Sequence, residues 1–467
     1  MNATNKDADS LIAADLATLR NRARYEIRNN CYAKGIIETK ADDLVGYGPR
    51  LQVKTANGIL NRSIEKRFEQ WQQNCDAAGR MCFVDILRLA ASKQIDESGE
   101  SITIFQNIGD GSQSIGGPRV RLLVIEPDRL TTPLQMAGIG GVSFDGSIRY
   151  GIETDAYGRP ENYYILKKHP GADNAMISYT KDDFDIIPAG QVIHLFDFDR
   201  PGQTRGVPKI APALPLFAQL RRYTLAVLAA AEQAASIAGV IYSDHPTVTA
   251  DDVERLEAVE IERNSLLTMP KGWQINQYKA EQPTTTYKEF KHEILNEIAR
   301  VLNMPYNVAA ANSSGYNYSS GRLDWQGYYK TIKTAQHKIE LHYCNPILFA
   351  WLNEARLISG FLKGDNYEEI SAVDLIWHWP GQEHVDPSKE AAAQKVRLES
   401  RTTTLSAEYA RQGLDWKKQL EQIAAEKEVM EKLKLTTGVV TDEPEKKEKD
   451  ATDQKQDQKQ TANAIDE

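Results

Sequence analysis

Asn312-Ser313-Ser314-Gly315-Tyr316-Asn317-Tyr318-Ser319-Ser320-Gly321 is the stretch on which the reading of the fold turns. It contains no aliphatic residue. Asn, Ser and Gly tolerate turns and left-handed backbone, so no core can be built from it and it reads as a loop. The loop is expected to start at Tyr306, just past Met304-Pro305, because proline disfavours α geometry in the residue before it. On the N-terminal side Phe290, Ile294, Ile298, Val301 and Leu302 recur at helical spacing. On the other side a second long helix opens at Arg322. Trp325, Tyr328, Tyr329, Ile332, Ile339 and Tyr343 mark its buried stripe, and Pro346 should kink it. A polar, yielding loop between two amphipathic helices is a device for presenting something.

Upstream, Asp9 to Lys40 reads as helix. Leu16, Leu19, Ala23, Ile27, Asn30-Cys31 and Lys34 mark a mixed face; Arg20, Arg22, Arg24 and Arg28 form the other side, which reads as a solvated face, with a basic surface for a partner as the alternative. Ile64 to Ala78 and Phe83 to Lys93 are further helices. Strands are expected at Ser101–Gln106, Arg119–Glu126 and Val192–Phe198. A hairpin is expected where Ile148–Thr154 and Tyr163–Lys168 flank the turn residues Asp155 to Pro160. Together, residues 61–199 form a mixed α+β unit. Leu214 to Ile237 is a long alanine-rich helix. Asp251, Asp252, Glu254, Glu257, Glu260 and Glu262 crowd a short helix, which by itself reads as a solvated face. Downstream, Val373–Trp379 is a short strand. Pro387 opens three helices (388–400, 406–412 and 416–434) with Gly413 as a stop between the last two. From Thr436 the composition is Asp, Glu, Lys and Gln without aliphatic pattern, which predicts a disordered tail.

A chain of 467 residues is too long for one small core and has room for two to four domains. The longest apolar run, 214–240, is broken by Arg221, Arg222, Glu232 and Gln233, so no membrane span is expected. The start, Met1 to Ser10, has no apolar segment of the secretory kind. Cys31, Cys75, Cys82 and Cys344 form no CxxC pair, as expected for reduced thiols in a cytosolic setting. A net charge of −9 argues against a tight grip on nucleic acid, which needs many Lys and Arg contacts. It does not exclude DNA that must slide past a weakly repelling wall.

Motifs for chemistry are scarce. There is no G-x-x-x-x-G-K-[ST] loop. Gly138-Ile139-Gly140-Gly141 lacks strand–helix flanks and reads as plain loop. His337, Glu340 and His342 lack HExxH order and read as helix surface. His378 and His384 have no ligands at zinc spacing. Neither Ser319 nor Ser320 sits in a nucleophile elbow. No catalytic residue, metal or cofactor is expected.

Three groups of residues carry a resemblance to a known family. They are Leu302-Asn303-Met304-Pro305, Asn317-Tyr318-Ser319-Ser320-Gly321-Arg322, and His194-Leu195-Phe196 leading to Gln203-Thr204-Arg205-Gly206-Val207-Pro208. In this order and spacing they resemble the lambda-type portal proteins of tailed bacteriophages. The resemblance implies a mostly helical α+β fold with wing, stem, clip and crown. The segments are an N-terminal arm (1–60), wing (61–207), stem helix (208–241), clip (242–286), second stem helix (287–304), tunnel loop (305–321), kinked helix with wing (322–384), crown (385–435) and tail (436–467). It implies a non-enzymatic ring, a dodecamer, at one capsid vertex of the virion, assembled in the host cytoplasm. Implied partners are double-stranded DNA in transit, the terminase large subunit, and the major capsid, scaffold and head-completion proteins, with no membrane. Asn307, Asn312, Ser313, Ser314, Gly315, Tyr316, Asn317, Tyr318, Ser319 and Ser320 would line the channel. Asp251, Asp252, Glu254, Glu257 and Glu260 would meet the motor or the neck. The alternatives are a virion-assembly protease or nuclease, against which the missing motifs count, and a capsid adaptor that is not a ring.

Overall fold

A computed structural model describes residues 5–108, 117–133, 143, 146–172, 180–236, 240–243, 273–276, 284–365, 369–381 and 387–433. The N-terminal region is three helices rather than one: α1 (Ala8–Ala13), α2 (Leu16–Asn29) and α3 (Cys31–Val45). Asn30 makes the second break. Its extended backbone leaves the side chain free to accept hydrogen bonds from Tyr32 N (3.0 Å) and Ala33 N (3.4 Å), capping α3. Strand β1 (Arg50–Val53) follows, then α4 (Gly58–Gln72), which starts earlier than its apolar pattern because Asn57 caps it. Next, α5 (Phe83–Leu87) runs through a π-helical turn at Arg88–Lys93 into α6 (Gln94–Ser98).

The strands assemble by antiparallel pairing. β2 (Glu100–Asn107) is central, with β3 (Val120–Ile125) on one side and β8 (Val192–Phe196) on the other. A second sheet runs in chain order through β4 (Ile148–Arg149), β5 (Ile152–Thr154), β6 (Pro160–Leu166) and β7 (Phe184–Pro188). The expected hairpin is β5–β6, where Asp155 Oδ1 accepts from Tyr157 N and Arg159 N. Its N-terminal half is split off as β4, because Tyr150 and Gly151 both adopt positive φ and fold the chain back.

Helix α7 (Leu214–Ser236) leads to a two-stranded ladder of β9 (Val240–Ser243) and β10 (Trp273–Asn276), and α8 (Thr284–Val301) packs back on α7. A single turn, α9 (Tyr306–Ala309), precedes α10 (Tyr318–Ile339). The kink expected near Pro346 is a π-helical turn at Glu340–Cys344, after which α11 (Asn345–Leu357) carries Pro346 in its first turn. Strand β11 (Leu375–His378) pairs with β1, which the sequence pattern did not reveal, across more than 320 residues of chain. Helices α12 (Pro387–Glu399) and α13 (Leu405–Arg411) are tied by Arg397, which donates to Glu390 and Glu408. Gly413 has φ +71°, the left-handed stop expected of it.

The chain divides into two compact units, residues 1–414 and 415–467. In the second, α14 (Trp416–Lys432) is capped by Asp415, which accepts from Lys417 N at 2.8 Å. In the first, one continuous apolar cluster draws residues from Ala23 to Trp379. Phe68 stacks on Trp71 and meets Trp351 edge-on, with centroids 5.3 and 5.2 Å apart. The helices on either side of the polar loop are therefore rooted in the same core as the N-terminal helices. No described helix is long and apolar enough to cross a membrane. The tail from Lys434 onward lies outside the described residues.

Candidate functional site

Between α8 and α10 the chain is part anchored and part free. Met304 and Val308 are buried, and Asn303 turns the chain with φ +54°. The loop is shorter than the expected Tyr306–Gly321 run, because α9 takes its first turn and α10 begins at Tyr318. What remains is 310–317. Asn312 Oδ1 accepts from Ser314 N (2.9 Å), and Gly315 (φ +97°) completes a turn in which Tyr316 N donates to Ser313 O (3.2 Å). Asn317 then caps α10: its Oδ1 accepts from Ser320 N at 2.8 Å, while Ser320 Oγ accepts from Asn317 N at 3.3 Å.

The ten expected channel residues therefore separate. Asn312, Ser313, Ser314, Gly315, Asn317 and Ser319 are exposed. Ser320 is half-buried and occupied with capping, and the Tyr318 side chain lies outside the described residues. Tyr316 is half-buried, and burial raises its phenol pKa above the usual value. Asn307 does not fit the channel reading in this conformation. It is 6% exposed, buried in α9 together with Val308 and Ala309. In the first ten residues of α10 no described side chain is fully buried, though Trp325 packs half-buried against the core; Tyr328 is the first buried one. Tyr328 donates to Asp43 Oδ2 (2.9 Å) and Gln336 Nε2 donates to Leu44 O (3.0 Å), fastening α10 to α3.

Elsewhere in the same unit sits a cluster that composition did not announce. Glu100, at the start of β2, is fully buried. Its Oε1 accepts from Arg20 Nη2 (2.6 Å) and Arg205 Nε (2.7 Å); its Oε2 accepts from Gly206 N (2.7 Å) and lies 3.0 Å from His194 Nε2. Burial pushes the Glu100 carboxyl pKa up. Arg205 and Arg20 outweigh it and hold the group well below the usual carboxylate range. Arg205 also donates to the carbonyls of Leu130, Tyr150 and Pro127, each at 2.9 Å, so every edge of its guanidinium is satisfied. Gly206 is required sterically: a Cβ there would lie 2.1 Å from Gly99 O.

The solvated reading of Arg20 and Arg24 is thus overturned. Arg20 is 4% exposed on Glu100, and Arg24 donates to Ser98 Oγ and Asp128. Arg22 and Arg28 do face solvent. A second ionic group extends the first. Asp197, just past β8, pairs with Lys209 and Lys338, the latter on α10. Burial works against the Asp197 carboxylate, but the two lysines lower its pKa to about 2. His194, Arg205 and Gly206 thus close around Glu100, while Lys338 of α10 donates to Phe196 O at 3.0 Å and pairs with Asp197.

Most of the chain matches a family. The family model described as phage portal protein, lambda family, matches residues 1–336. The chain belongs to that family. It is 28% identical over 437 residues to a probable portal protein of Halomonas phage phiHAP-1, covering 88% of this chain and 80% of that protein. It is 22% identical over 461 residues to portal protein B of Escherichia phage lambda, covering 88% and 84%. Among solved structures it is similar to a subunit in the neck of an empty gene transfer agent particle computed with C6 symmetry. That likeness has TM-score 0.49 and 14% identity, covering 87% of this chain and 99% of the other. A native particle's neck, computed with C12 symmetry, gives TM-score 0.43 at 14% identity over 86% and 93%. This portal-family chain is a head–tail connector protein of the tailed-phage kind.

The acidic residues Asp251, Asp252, Glu254, Glu257 and Glu260 lie outside the described residues, as do His384 and the Gly138–Gly141 run. His378 Nε2 is 3.0 Å from Gln52 Oε1, a contact between β11 and β1. Among the described residues no group of three or more His, Cys, Asp or Glu could hold a metal ion.

Proposed function

We propose that the protein acts as a closed, dodecameric, head-to-tail ring at one capsid vertex. The 311–317 turn of each subunit, exposed except at the half-buried Tyr316, faces the axis along which double-stranded DNA enters and leaves. A heterologous contact repeated by rotation closes on itself and sets the copy number. The observation that carries the reading is the turn itself: a run of Asn, Ser and Gly, exposed, without a described cation, held between rooted helices. Amide and hydroxyl groups there touch phosphates without the ion-pair affinity that would arrest a sliding duplex. The acidic segment around Glu257 would face the terminase motor and later the neck, where negative charge keeps phosphates from sticking. The role is structural rather than catalytic. It is exercised in the virion, after assembly with capsid, scaffold and head-completion proteins in the host cytoplasm.

The test is negative-stain imaging of the purified protein, followed by packaging with Gly315→Pro. Proline cannot adopt the +97° φ of Gly315. Rings should form and DNA filling should stall. A monomer, or normal filling by the variant, defeats the reading. A parallel test reverses Glu257 and Glu260 to Lys; unchanged motor binding and packaging would remove the clip assignment.

A further inference from the structure

The stem helices α7 and α8 pack on each other through Tyr223, which stacks on Tyr287 and meets Phe290 at 4.2 Å, and through Thr224 against the Tyr287 hydroxyl. The side of α7 opposite this contact carries Arg222, Leu225 and Ala229, by the 3.6-residue period. It is uncovered: Leu225 is 58% exposed and the nearby Leu228 is 54% exposed, high for leucines in the middle of a helix rooted in a core. Arg221, beside them, pairs with Glu26 of α2 at 2.6 Å. One turn before Glu26 lies Arg22, also exposed. Among the described residues neither Arg22 nor Arg222 has an acidic partner.

Helix α8 presents the opposite character. Ile294, Leu295, Ile298 and Ala299 are buried. On its other side Glu289, Glu293 and Glu297 recur every four residues, all exposed. Like charges at this spacing weaken an isolated helix, so the stripe does not help the helix it sits on. The contact found for it among the described residues is His292 against Glu293, at 3.2 Å between neighbours in sequence.

We propose that these two surfaces bind each other between copies: the Glu289–Glu293–Glu297 stripe of one subunit seats on the Arg22–Arg222–Leu225 face of the next. The inference rests on the ring reading and specifies which faces meet. The occupant is a second copy because the complement is present on the same chain, and because the faces lie on different sides of one helix pair. A heterologous, head-to-tail contact needs that arrangement, whereas a two-fold contact would need a single self-complementary patch. The leucines supply apolar burial, against the methylene stems of the glutamates. The arginines set register and partner choice, which is what charge does best at an interface.

The experiment uses the full chain in three charge variants. The first carries Glu289→Lys, Glu293→Lys and Glu297→Lys. The second carries Arg22→Glu and Arg222→Glu. The third carries all five changes. Circular dichroism and the unfolding midpoint confirm that each is folded, and mass photometry counts subunits. The first and second variants, each now with two faces of like sign, should be monomeric alone. Mixed in equal amounts they should form rings of alternating subunits, and the fully exchanged variant should form rings alone. Wild-type rings should dissociate as salt rises. Rings from the first or second variant at wild-type yield overturn the pairing while leaving the ring reading standing. So does the failure of both the mixture and the exchanged chain to assemble. A wild-type protein that forms no ring overturns both.

Discussion

Two regions of this molecule carry the motifs through which its sequence resembles the portal family, and they behave in opposite ways. Around Glu100, charged groups are sealed from water and every one is matched. Around Gly315, polar groups face solvent and bond mainly to their own turn. A family word in a sequence is therefore not a functional site by default. Arg205-Gly206 holds the scaffold in shape; Asn317-Tyr318-Ser319-Ser320 shapes what the scaffold presents. The ion pair of Asp197 with Lys338 ties the far end of α10 to the end of β8.

The sharpest way to break this contrast is Glu100→Gln. It leaves Arg20 and Arg205 buried opposite a neutral amide, which should cost about 3–5 kcal/mol, as when one partner of a buried pair is removed. Denaturant unfolding read by tryptophan fluorescence would show it; a loss below about 1 kcal/mol would mean that the cluster is solvated after all.

Acid offers the same contrast without mutation. Glu100 and Asp197 have lowered pKa values in the folded chain. Their stabilisation is complete above the ordinary carboxylate range, near pH 4. It is lost as the pH falls through the folded values, which for Asp197 is about 2. Unfolding midpoints should hold from neutral pH to about 5 and then fall steeply, and Asp197→Asn should flatten the lower part of the curve.

Smaller effects are expected at the loop. Asn317→Ala removes the cap of α10 and should cost about 1 kcal/mol. It should show as faster hydrogen exchange in residues 318–327 while exchange at Ile332 to Tyr343 stays unchanged. Gly321→Ala has the opposite sign. Nothing lies within 4 Å of the added Cβ, so the change should slow exchange in the same turns. It stabilises the helix by roughly 0.5–1 kcal/mol. If both substitutions move the global midpoint as far as Glu100→Gln does, the distinction between scaffold and loop is wrong.

Much of this was legible in the residues. Phe290, Ile294 and Ile298 declared α8; Trp325 to Tyr343 declared α10; the absence of aliphatics declared the turn between them. Periodicity reports such elements because a helix buries a stripe and a loop buries nothing. The caps Asn30 and Asn317 could also have been read, since a side chain that competes for backbone N–H groups marks a boundary. Glu100 was not legible. A lone glutamate before Ser-Ile-Thr-Ile gives no sign that arginines 80 residues before it and 105 after it converge there.

By itself the sequence determined the helices that flank the polar turn, the turn itself, its chemically bare character and, through its motifs, the family. Only the tertiary structure decided that Asn307 is buried, that β1 pairs with β11, and that Arg20 and Arg205 share one carboxylate. The reason is physical. Local propensity and burial periodicity act over a few residues and leave their mark in the order of the chain. The pairing of buried charges depends on distances set when remote segments meet, and those distances leave no local pattern to read.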